Sequence, residues 1–111
     1  LREKLRLMTR TEFLRQTLEA IDGPRAAVYG DPADNHRRIA DSWKNILGTD
    51  VSVAQVYACM IAVKLSRLTN APHHLDSWLD IAGYAALAAE TCEGEIENAG
   101  LVDVRNRLSA D

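Results

Sequence analysis

Aromatic side chains are scarce in this sequence, with one Phe, two Trp and three Tyr among 111 residues. Ala- and Leu-rich stretches with few β-branched runs take their place, which favours helix over sheet. Cysteine is limited to Cys59 and Cys92, with no C-x-x-C spacing, so neither a disulfide scaffold nor a zinc site is indicated. A reducing, cytoplasmic setting is the expectation that follows. Cys59 falls inside an apolar helical run, where a free thiol is expected to pack as a small hydrophobe. No apolar run approaches the ~18 residues that a membrane span needs, and no signal peptide is visible. An excess of positive charge is missing too: the net charge is −3 and the pI about 5.6. Without a basic field a nucleic-acid partner is disfavoured, and Arg37–Arg38 is only a local cluster. Phosphate-binding G-x-x-x-x-G-K-[ST], G-x-S-x-G and G-x-G-x-x-G loops are absent, and neither cysteine neighbours a base in sequence. Nucleophilic catalysis therefore has no visible candidate.

What is present is an ordinary globular composition, 47% hydrophobic and 26% charged. The length suits one domain, 1–111, of an all-α class: an antiparallel bundle of four main helices. Met8 would make a natural start, so Leu1–Leu7 reads either as a cloning remnant or as an upstream extension, and residues 101–111 read as a tail. Thr9 and Glu12 have capping-box spacing and open a first helix from about Arg10 to Ile21, ended by Gly23–Pro24. Asp31–Pro32 places an N-cap and an N1 proline at the start of a second, which runs to Leu47 and stops at Gly48. Its expected core face is Ile39, Trp43, Ile46 and Leu47. Ser52 and Gln55 cap a third, to about Thr69, whose wide apolar surface predicts the central, most buried helix. A fourth starts near His73 or His74 and extends toward Asn98, with Leu75, Trp78, Leu79 and a series of alanines as its packing face. Gly83 lies inside it at a cost of about 1 kcal/mol against Ala, which suggests close approach of a helix or a ligand.

The residues able to carry chemistry lie on the last three helices. Asp76 and Asp80, with Tyr84, stack at i, i+4 spacing on one face. Adjacent carboxylates repel, and a hard cation such as Mg²⁺ relieves that repulsion. Two solvated acids favoured by the helix dipole are the plain alternative, weaker for Asp80 because Leu79 and Ile81 flank it. Lys64 and Arg67, at i, i+3, could aim at one phosphate group; otherwise they serve the helix C-terminus and snorkel outward. Asn35, Arg38 and Ser42 share a face of the second helix, where Asn35 could read a base or sugar and Arg38 a phosphate. His36, one residue off this face, reads as packed or exposed. His74 could touch a phosphate or hydrogen-bond a carboxylate at the helix start.

Tyr29-Gly30-Asp31-Pro32, Asn35 with Arg38-Ile39-Ala40 and Trp43, Lys64 with Arg67, and above all Asp76-Ser77-Trp78-x-Asp80-x-Ala82-Gly83-Tyr84 resemble a family of small uncharacterised phage and prophage proteins. The resemblance spans about Arg25 to Glu90. That family in turn looks distantly similar to the MazG-like all-α nucleoside triphosphate pyrophosphohydrolases, oligomeric helical bundles that use Mg²⁺. Asp80 and Tyr84 match the Asp and aromatic of their second metal motif; its Glu position falls on Ser77, with Asp76 one turn back. Their first motif, E-E-x-x-E, is missing, and Asn35-His36-Arg37-Arg38 stands in the corresponding helix.

Three readings follow. In the first, Asp76 and Asp80 are the catalytic, metal-holding carboxylates of a Mg²⁺-dependent pyrophosphohydrolase, with Lys64, Arg67 and Arg38 on the phosphates. In the second, the same scaffold binds a nucleotide without turnover. In the third, Asp76, Asp80, Lys64 and Arg67 form a structural ion-pair network in a helical interaction protein. A homodimer or higher homo-oligomer is expected, because four short helices with so many apolar positions rarely bury all of them alone.

Overall fold

The computed structural model describes residues 8–23, 28 and 30–92, and among them every regular element is a helix. Helix α1 spans Arg10–Asp22, α2 Pro32–Leu47, α3 Val53–Asn70 and α4 Leu75–Thr91. The starts follow from local capping chemistry. Thr9 accepts from the Glu12 N–H at 3.1 Å and Asp31 from the Ala33 N–H at 3.2 Å. At α3 the box is complete: Ser52 Oγ accepts from Gln55 N at 3.1 Å, and Gln55 Oε1 takes the Ser52 N–H at 2.8 Å. At α1 only half of the expected box forms, since the Glu12 side chain turns to Arg15 and Gln16 instead. Hydrogen bonds from Arg15 and then Gln16 hold the Glu12 carboxyl down to about 2. Helix α2 ends on Gly48, whose φ of 70° is left-handed and whose N–H reaches the Lys44 carbonyl at 2.9 Å.

Several sequence expectations are corrected here. The described fourth helix ends at Thr91 with Cys92 as its C-cap, and the expected stretch from there toward Asn98 lies outside the described residues. Residues 93–111, and with them the tail, lie outside the described residues, as do 1–7. The central helix is α4 rather than α3, for α4 packs against all three others, and most extensively against α3. Its buried residues are small, Ser77 and Gly83. At Gly83 a Cβ would sit 3.7 Å from Ile21 Cγ1, an ordinary contact, so α1 by itself does not demand glycine there.

Another correction concerns faces. Val56 and Tyr57 of α3 are sealed, but Ile46 is 78% and Leu47 65% exposed at the end of α2. They occupy its final turn, beyond the part that α3 and α4 cover. Leu75 and Trp78 are also largely exposed, with the indole of Trp78 lying over the α3–α4 turn and donating to the Pro72 carbonyl at 2.9 Å. Cys59, expected to pack as a small hydrophobe, is exposed, whereas Cys92 is buried. No helix among the described residues is long and apolar enough to cross a membrane.

Candidate functional site

The C-terminal part of α1, the first two turns of α2 and the middle of α4 enclose a cleft of about 410 Å³, with Met60 of α3 at its base. Its apolar surface comes from Ile21, Ile39, Met60, Leu79 and Leu87. Four polar side chains share that space: Asn35 and His36 from α2, Asp80 and Tyr84 from α4. The volume falls in the usual range of small-molecule sites, ~300–1,000 Å³, and the mixture of an apolar surface with a few polar groups is the usual composition. A shallower hollow of about 320 Å³ shares Ile21, Gly30, Pro32 and Leu87 with it and carries Asp22, Asp31 and Glu90. The cleft thus has an acidic side.

His36 is the most constrained of the polar four. It is 6% exposed, and Ala33, His36 and Ala40 make the buried stripe of α2. Its Nδ1 lies 2.6 Å from the Pro32 carbonyl oxygen one turn back. A carbonyl only accepts, so Nδ1 donates, and in the neutral ring Nε2 is left as an acceptor. The imidazole stacks at 4.5 Å on Tyr57 and meets Tyr84 edge-on at 5.8 Å. Tyr57 is sealed beneath it; burial pushes its hydroxyl up, opposed by a long hydrogen bond of 3.4 Å with Thr91.

Asp80 is fixed from the other side. Its Oδ2 accepts from Lys64 Nζ at 2.8 Å, with the lysine side chain 13% exposed and the aspartate 45%. Lys64 emerges from the apolar surface of α3 and lies beside the cleft through this bridge. Of the four residues expected to make an ion-pair network, only these two pair; Asp76 and Arg67 are exposed and make no ion pair among the described residues. Arg38 is exposed one turn beyond Asn35, while Arg37 pairs with Asp34 at 2.8 Å. His74 is the N-cap of α4, and its Nδ1 meets the buried Ser77 Oγ at 2.8 Å. Three of the candidates from the sequence therefore line the cleft (Asn35, Asp80 and Tyr84). Lys64 borders it, and Asp76, Arg38, Arg67 and His74 stand outside its wall. The sequence reading did not select His36; its signal was the i, i+3, i+7 spacing with Ala33 and Ala40.

The donor set can be tested against a resident Mg²⁺. A hard cation takes about six oxygens in near-octahedral order. Among the described residues no three His, Cys, Asp or Glu side chains are placed to hold a metal ion together, and one oxygen of Asp80 is taken by an ammonium. The described residues do not fit a resident divalent site.

Residues 12–92 match a domain family described as a domain of unknown function, DUF6378. The chain belongs to this family. It is similar to the Gene 55 protein of Mycobacterium phage L5, 40% identical over 70 residues that make up 62% of this chain and 45% of that protein. It is also similar to the Gene 55 protein of Mycobacterium phage D29, 32% identical over 85 residues, 77% of this chain and 56% of that protein. The chain spans about half the length of these phage relatives. No solved structure matches it significantly. The matched range of the family, 12–92, contains every residue of the cleft.

Proposed function

We propose that this DUF6378 domain binds a nucleoside phosphate in the α1–α2–α4 cleft. The observation that supports this most is the convergence of Asn35, His36, Asp80 and Tyr84 on an apolar cavity of about 410 Å³. The apolar surface suits a base, the polar groups suit its edges and the sugar, and Lys64, which borders the cleft through Asp80, offers a cation for a phosphate. The acidic hollow at the other side disfavours phosphate there and so orients the ligand.

A pyrophosphohydrolase is the second reading, favoured by Asp80 on the cleft wall with Asp76 one turn before it. A divalent ion entering on a triphosphate would then belong to the ligand. Binding stands first because the described carboxylates are too few for a resident metal.

The test is a melting series with ribo- and deoxyribonucleoside triphosphates, with Mg²⁺ and with chelator, beside a pyrophosphate-release assay. A nucleotide that raises the midpoint without product supports binding. Release that Asp80→Asn removes moves the assignment to the hydrolase. No shift at millimolar nucleotide defeats both.

A further inference from the structure

His36 offers the cleft an acceptor that the protein leaves unused. Its Nδ1 is committed to the Pro32 carbonyl at 2.6 Å, and the ring is held between Tyr57 and Tyr84. The Nε2 has no partner among the described residues. Among the described residues no fully buried side-chain nitrogen or oxygen lacks a partner, so Nε2 is not fully buried, and His36 lines the cleft. Asp80 adds a second acceptor: Lys64 takes its Oδ2, and Oδ1 is not paired. An unprotonated imidazole nitrogen and a carboxylate oxygen cannot donate, so together they require N–H or O–H donors from whatever enters.

Resting on the nucleotide reading above, we infer that His36 and Asp80 make the cleft selective for a base with adjacent N–H donors on one edge, which among the common nucleobases is guanine. Its ring N–H and exocyclic amino group meet two acceptors. Adenine and cytosine present a ring acceptor beside their amino group, which faces a lone pair here. Uracil and thymine present a single ring N–H flanked by carbonyl oxygens. A site built to accept hydrogen bonds disfavours a ligand that leaves the acceptor of the buried His36 unpaired, and the half-exposed Asp80 adds to that preference.

The experiment is calorimetric titration of the wild-type chain and of His36→Phe with guanosine, inosine, adenosine and uridine monophosphates. Phe keeps the ring stacked on Tyr57 and removes both nitrogens. The expected result is guanosine monophosphate binding about tenfold or more tighter than the adenosine and uridine forms, inosine between them, and a loss of that preference in His36→Phe. Equal affinity for all four overturns the selectivity and leaves the nucleotide reading standing. No binding by any of the four overturns both. Selectivity that survives in His36→Phe overturns the role of the imidazole. The wild-type series decides the guanine preference even where the variant fails to fold.

Discussion

The two ends of α2 bury opposite kinds of side chain. In the first half an imidazole and two alanines, His36, Ala33 and Ala40, are sealed against α3 and α4. In the last turn two large aliphatics, Ile46 and Leu47, stand in the open. Hydrophobicity alone would have exchanged them. The difference lies in what covers each end: the first half sits over Tyr57 and beside Tyr84, while the final turn projects past its neighbours. A buried histidine is tolerated there because the Pro32 carbonyl satisfies one nitrogen and the other is not fully buried.

The largest effect should come from removing the ring on which that cleft end rests. Tyr57 is 1% exposed, and Tyr57→Ala opens a cavity beneath His36. We expect a loss of about 3–5 kcal/mol in denaturant unfolding, a large share of the stability of a small domain. Tyr57→Phe keeps the ring and separates the hydroxyl. Burial raises that hydroxyl's pKa above its ordinary 10.0, so the folded state favours the neutral form. Its contribution is full below pH 10 and fades as pH rises past that value, since the unfolded chain releases the proton first. Wild-type protein should therefore lose more stability than Tyr57→Phe on moving from pH 9 to 11. Parallel losses would show the hydroxyl is not buried in solution.

The Lys64–Asp80 bridge should give an intermediate, unequal pair of effects. Asp80→Asn leaves a lysine ammonium at 13% exposure without its carboxylate, for an expected cost of about 1–2 kcal/mol. Lys64→Met leaves a half-exposed carboxylate that water can solvate, so it should cost less, under about 1 kcal/mol. Thermal melts of both variants check the order. An Asp80→Asn midpoint equal to wild type would remove the bridge from the stability account and leave Asp80 with its ligand role alone.

These residues also mark how far local pattern carries. The starts of α2 and α3 were legible because capping is a contact of three or four residues: Asp31 with Ala33, Ser52 with Gln55. The bridge was legible in part. Only the third reading paired Lys64 with Asp80, within a four-member network, and spacing along two helices could not tell that Asp76 and Arg67 make no ion pair among the described residues. The centrality of α4 was hidden because its buried positions, Ser77 and Gly83, carry no hydrophobic signal. His36 was passed over for the same reason. Its burial depends on Tyr57 and Tyr84, and nothing within α2 announces them. Ile46 and Leu47 show the reverse error, since periodicity identifies an apolar face without saying whether anything covers it.

The smallest effect should come from that far end of α2. Ile46→Ser and Leu47→Ser remove side chains already 78% and 65% exposed, so little burial is lost. The helix end is secured by other means, the left-handed Gly48 cap and the Lys44–Asp50 ion pair at 3.0 Å, neither of which the substitutions touch. Each change should move unfolding stability by no more than about 0.5 kcal/mol, as for ordinary surface substitutions. Measured at several protein concentrations, the result bears directly on the contrast between the two ends. A concentration-independent change of this size leaves the contrast intact. A loss approaching that of Tyr57→Ala, and growing with concentration in the wild type, would mean these side chains are covered in solution, as the expected homo-oligomer requires. The exposed end would then be an interface, and both ends of α2 would obey the same burial rule.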